Sequence, residues 1–229
     1  MRPAAAVAGA VLAVGAGCAS RQQAPGAGPP AGLEATGAAP DAAALAGRAR
    51  AAVRRLEQET DGQARKALVA EAVDAGRGCE RVAPGTAGCD YALALALGVE
   101  AREHPSGALQ RLPEMVRLLR SADGQEPRLD AAGPSRVLAL LLLRAPGWPL
   151  GPGDPEAALD AARRAVELAP DHAPNQLALA EALRAAGDEA GAVGAAQRGV
   201  ELARLAAAAG DPDAAGWRRD GERLLEHLR

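Results

Sequence analysis

Any chemistry in this chain would have to come from a small set of residues: three cysteines, three histidines, two tryptophans and one tyrosine. His104, His172 and His227 lie far apart, and none stands at ligand spacing to a cysteine, so no zinc-type site is legible. There is no glycine-rich phosphate loop, no strained serine elbow and no nucleophile beside a histidine. The sequence therefore predicts no catalytic residue, no metal and no cofactor, and a protein that is not an enzyme.

The cysteines carry more information. Cys18 closes "MRPAAAVAGAVLAVGAGC", which has one positive charge at Arg2, an apolar stretch of about a dozen residues and small residues before the cysteine. This is the anatomy of an export signal, too short to span a bilayer as a mature helix. "GAGC" resembles the bacterial lipoprotein box, which makes Cys18 the acylated new N-terminus, although Gly15 stands where leucine is usual. Cleavage by the general signal peptidase and an uncleaved apolar helix are the alternatives. Ala19 after the cysteine, where an aspartate is absent, favours the outer membrane by resemblance to known sorting rules. Residues 18–40 are rich in Gly, Pro and Ala with no apolar period, as expected of an unstructured tether. The division is thus a signal peptide over 1–17, a tether over 18–40 and one folded domain over 41–229, facing the periplasm on a lipid anchor.

Cys79 and Cys89 flank "CERVAPGTAGC", read as a Pro/Gly connection between two helical stretches. In an oxidising compartment they would close a loop worth roughly 2.7 kcal/mol by chain entropy. Two free thiols buried in neighbouring helices are the alternative.

The elements that position these residues are helical. Strand-forming aromatic and β-branched residues give way to Ala, Leu, Arg and Glu, which lose least on entering a helix, so the class is all-α. The 26 basic and 29 acidic residues nearly balance, leaving no field to attract nucleic acid. "GDPEAALDAARRAVELAPD" (153–171) repeats in "GDEAGAVGAAQRGVELARL" (187–205), and every match falls 34 residues on. That is the tetratricopeptide period. Small residues at Ala158, Ala165, Ala192 and Gly199 would let paired helices approach, Asp154 and Asp188 would cap the second helices, and Gly187 would take the left-handed C-cap. The same pattern, more weakly, predicts helical pairs over 41–60 with 62–77 and 89–105 with 106–123, a first helix over 132–146, and a terminal helix over 211–228 capped by Asp211. The architecture expected is an α-solenoid of degenerate tetratricopeptide-like hairpins whose amphipathic last helix stops the stacking.

"APGWPLGPGD" (145–154) interrupts that grammar before a Gly-Asp turn. Its prolines restrict the backbone, so the loop is expected to be fixed in place. Trp148 then either plugs the end of the helical layer or lines a pocket or partner surface. The plug is the expectation for the ring itself, with Leu150 and the Leu138 to Leu143 run, Leu138 and Leu142 included, facing a partner or ligand. Asn175, Glu181 and Arg184, on the first helix of the clear repeat, extend that candidate surface. Glu181 with Arg184 also reads as a solvated intrahelical pair.

The stretch 89–203, above all "RAPGWPLGPGD" followed by "ELAPDHAPNQLALAEAL", resembles the T component of TRAP transporters, the tripartite ATP-independent periplasmic solute importers. The resemblance covers about half the chain. It implies a lipoprotein of cryptic tetratricopeptide repeats that binds the periplasmic solute-binding protein, as a trimer enclosing an apolar channel. The alternative function is a repeat lipoprotein with a structural or assembly role in the envelope, binding another protein without transport.

Overall fold

The computed structural model describes residues 41–228, and the leader, Cys18 and the tether lie outside them. The described residues belong to one compact unit and form nine α-helices and no strand: α1 Ala42–Gln58, α2 Gly62–Val82, α3 Ala87–Glu103, α4 Ala108–Gln125, α5 Gly133–Arg144, α6 Pro155–Leu168, α7 Ala173–Ala185, α8 Glu189–Ala208 and α9 Ala214–His227. Successive helices pack as the hairpins α1/α2, α3/α4, α5/α6 and α7/α8, and α9 lies against α8 and α7. This is the expected all-α, solenoid-like helical repeat. No described helix is long and apolar enough to cross a membrane.

Aspartates start the helices. Asp41, Asp61, Asp154 and Asp188 each accept backbone N–H bonds from the first turn that follows, satisfying donors the helix cannot use. Prolines at the opening of α5, α6 and α7 occupy positions where no N–H is needed. Gly187 has φ +81, the left-handed conformation its place after α7 requires. Asp211 does not cap α9: its carboxylate accepts from the Asp213 N–H at 2.9 Å, and the helix begins at Ala214.

Small residues set the helix spacing. Ala158, Ala165 and Ala192 are fully buried, and a Cβ on Gly199 would lie 2.5 Å from Leu177 Cδ2. Gly76 performs the same service between α2 and α3, where an added Cβ would reach 3.0 Å from the Leu93 Cα. The helix α2 does not stop at 77, as expected from the sequence, but continues to Val82 and takes Cys79 with it, its last turn closed by the Ala83 N–H on the Cys79 carbonyl. Cys89 lies in the first turn of α3, so the connection is only residues 83–86. The two sulfurs are bonded, their Cα atoms 5.2 Å apart, among Leu45, Ala49, Ala75 and Ala92.

The main core gathers Tyr91, Leu93 and Leu97 of α3, Leu118 and Leu119 of α4, and Leu138 and Leu142 of α5. Leu224, Leu225 and Leu228 rest on the α7/α8 cluster around Leu183 and Ala196, and Trp217 covers Ala173 and Leu202. The last helix therefore buries the face the solenoid would otherwise leave open. Along the inner layer, α1 packs on α3 and α5 on α7, whereas the backbones of α3 and α5 stand farther apart.

Candidate functional site: an inner trench and an exposed tryptophan

The gap between α3 and α5 opens into an apolar cavity of about 570 Å³, walled by Leu95, Leu112, Met115, Leu140 and Leu141. It shares Val53, Leu95, Leu140 and Arg144 with a second cavity of about 410 Å³ that runs toward α7 and α9. Together they form a trench along the inner faces of the first helices, apolar at one end and charged at the other. The α1 wall is the stripe Arg50, Val53, Arg54 and Glu57, residues that share one face at helical spacing.

A polar hub closes the charged end. The Arg136 guanidinium, with a side chain only 12% exposed, contacts Asp130 Oδ2 at 3.2 Å and donates to Asn175 Oδ1 at 2.9 Å. Asn175 Nδ2 in turn donates to the carbonyls of Ala131, Ala165 and Ala169, each at 3.0 Å. These bonds hold Asp130, Ala131 and Ala132, whose φ angles of 51, 51 and 63 lie in the left-handed region. Side chains with a Cβ enter that region at a cost of about 1–2 kcal/mol each, and a surrounding network must over-determine it. His172 borders the hub and meets Trp217 edge-on, ring centroids 5.3 Å apart. Burial, then the charge of Arg136, push its pKa down to about 4, so the ring is neutral at pH 7. The Tyr91 hydroxyl donates to Asp130 Oδ2 at 2.6 Å, and burial raises its pKa.

The residues expected to form a partner surface separate into three groups. Leu150 is 75% exposed, as expected. Trp148 is 90% exposed and plugs nothing. The loop closes on itself instead: the Gly153 N–H donates to the Pro146 carbonyl at 2.8 Å, Leu150 and Gly151 donate to the Gly147 carbonyl at 3.0 and 3.2 Å, and Asp154 donates to the Leu142 carbonyl at 3.1 Å. Gly151 and Gly153 lie so close to Pro146 and the Ala145 carbonyl that any side chain there would collide. With its backbone folded inward, the loop presents Trp148 and Leu150 outward, and the Trp148–Pro149 peptide is cis.

Leu138 and Leu142 do not face a partner. They are 9% and 3% exposed and belong to the main core, because the helix end is filled by its own leucines. Asn175 is fully buried and serves the hub, not a surface. Glu181 does line the trench, yet its partner is Arg144 at 3.1 Å and not Arg184, which is exposed outside the trench. The sequence reading missed Arg50, Arg54, Arg136 and Asp130. The only signal for them was the spacing of Arg50, Val53 and Arg54 on one face of α1.

Among the described residues, no three His, Cys, Asp or Glu side chains converge to hold a metal ion. One buried acidic pair stands apart from the trench. Asp90 is fully buried and neither carboxylate oxygen has a hydrogen-bond donor, and Glu80 Oε1 beside it is likewise without one. Burial, then the Asp90 charge, raise the Glu80 pKa above the ordinary carboxylate value.

The fold defines an all-α helical-repeat protein with an open inner trench. No protein-family model matches the chain, and no curated protein is similar to it in sequence.

Proposed function

We propose that the protein is a membrane-tethered, periplasm-facing scaffold lipoprotein, an accessory component of a TRAP-type solute transporter. It docks the periplasmic solute-binding protein through the Trp148–Leu150 tip and offers its inner trench to an apolar ligand. The observation that carries the docking role is Trp148: an indole 90% exposed on an uncharged loop closed by its own backbone bonds. The backbone of the tip is already ordered before binding, which lowers the cost of association, and tryptophan is among the residues that dominate interfaces. The solenoid-like repeat supports the reading, since such folds present extended surfaces to partners. The leader ending in Cys18 and the resemblance to TRAP T components supply the location and the partner class.

The experiment is to mix the purified protein with a TRAP-type periplasmic solute-binding protein of the same organism and measure association. A complex that survives gel filtration supports the reading. A gene neighbourhood without solute-binding protein or permease, together with envelope partners recovered by crosslinking at position 148, would replace it with an envelope-assembly role.

A further inference from the structure

The Cys79–Cys89 bridge and the Glu80–Asp90 acid pair are neighbouring rungs across one joint. Each bridged cysteine is followed in the chain by one of the acids, in the last turn of α2 and the first turn of α3. The apolar hold on this joint is thin: Leu45 is the one large aliphatic side chain buried in its cluster, and the rest are alanines and the two cysteines. Asp90 is fully buried, and both its oxygens and Oε1 of Glu80 are shut off from water without a hydrogen-bond partner. Two carboxyl groups in that setting stay buried only while they share a proton, because two charges there would repel each other and neither would be hydrated. Arg117 of α4 and the Gly85 backbone favour the Glu80 charge, but burial and the Asp90 charge outweigh them. Arg77, one turn back on α2, is bonded to Glu114 instead. From α1, the other helix packed on α2 and α3, only Leu45 and alanines meet the bridge.

Opening the joint wets both carboxyl groups and lets both ionise, so at neutral pH the pair drives opening, and the drive vanishes below the ordinary carboxylate range. The bridge opposes it covalently. We propose that bridge and acid pair form a redox-released spring: the closed disulfide holds the acids buried side by side, and its reduction lets them push the ends of α2 and α3 apart. The α1/α2 hairpin then loosens on α3, and with it the α1 wall of the trench, which carries Arg50, Val53 and Arg54. A dithiol supplies the step. It gives two electrons and two protons to the bridge, the S–S bond breaks, Cys79 and Cys89 each gain an S–H, and the dithiol closes into a disulfide of its own. Thiols beside carboxylates stay protonated at neutral pH, so the acids alone bring charge to the joint. The device is independent of what Trp148 docks.

The test reduces the full chain with dithiothreitol and follows alkylation by N-ethylmaleimide at pH 7, read at Cys79 and Cys89 by peptide mass, at several low urea concentrations. Both cysteines are buried, so each reacts only when the joint opens. Reduced wild type is expected to react about tenfold faster than reduced Asp90→Asn, the size of one charged contact. The sign is diagnostic, because removing a negative charge beside a thiol by itself favours the thiolate and speeds alkylation. The rate should rise with urea far less steeply than global unfolding does, since a local opening exposes little surface. Glu80→Gln should slow the reaction as Asp90→Asn does, and serves if the latter does not fold. Equal or faster alkylation of the neutralised variants overturns the spring, and so does a urea slope equal to that of global unfolding. Hydrogen exchange along α1 should quicken more on reduction of wild type than of Asp90→Asn, and no difference there overturns the loosening of the trench wall.

Discussion

The Tyr91 hydroxyl of α3 donates a 2.6 Å hydrogen bond to Asp130 Oδ2, across 39 residues of sequence, and so ties the third helix to the left-handed segment that precedes α5. Tyr91→Phe removes the donor but leaves Asp130 held by Arg136, so urea unfolding is expected to show a loss of about 1 kcal/mol. Gly133→Ala is expected to cost more, about 1–3 kcal/mol, because a Cβ there collides with the same hydroxyl. Equal stability of Gly133→Ala and wild type would contradict the packing.

The Glu80–Asp90 pair opposes folding at neutral pH. The Glu80 proton is held more tightly in the folded state, so the penalty is absent below the ordinary carboxylate value and grows as pH rises through the raised folded one. Asp90→Asn provides a donor to Glu80, and is expected to raise stability by about 1–2 kcal/mol at pH 7. At pH 4 the same substitution should change little. A loss of stability at pH 7 would show that Asp90 has a favourable partner.

His172 has the opposite dependence. Its folded pKa of about 4 lies below the unfolded value, so its contribution is complete above pH 6.5 and is lost as pH falls toward 4. The groups around it are Arg136, which lowers the pKa, and Asp130 and Asp211, which raise it. Melting temperatures of His172→Gln between pH 7 and 4 should fall less steeply than those of wild type. Parallel curves would place the imidazole in water.

The Cys79–Cys89 bridge joins α2 to α3 at a Cα separation of 5.2 Å. Intact mass without reductant should show no free thiol at these positions. Replacing both by serine should cost about 2.7 kcal/mol by loop entropy. Alkylation of both thiols in unreduced protein would remove the bridge.

Much of the fold was legible because its signals are local. Asp154 and Asp188 cap where the repeat placed them, Gly187 turns the chain, and the hairpins pair in the expected order. The illegible parts depend on contacts between distant segments. The helix expected to end at 77 runs on to Val82, and the close approach of Gly76 to Leu93 exists only in three dimensions. Nothing in "LDAAGPS" announces three left-handed residues, since alanine resists that conformation and the groups that hold it, Tyr91, Arg136 and Asn175, come from elsewhere in the chain. Trp148 was misplaced for a related reason. Hydrophobicity argued for burial, but the leucines of α5 belong to the main core, and the loop's backbone bonds are to itself and to the Leu142 carbonyl.

The docking role proposed for Trp148 is tested most directly by measuring Trp148→Ala twice, in thermal melting and in affinity for the proposed partner, a periplasmic solute-binding protein. An indole 90% exposed holds little of the fold together, so the melting temperature should stay within about 2 °C of wild type, in line with a surface substitution of at most 0.5 kcal/mol. Affinity should fall by about 30-fold or more, as truncation of an aromatic anchor of about 2 kcal/mol does. A variant that binds the same partner as tightly as wild type would contradict the account.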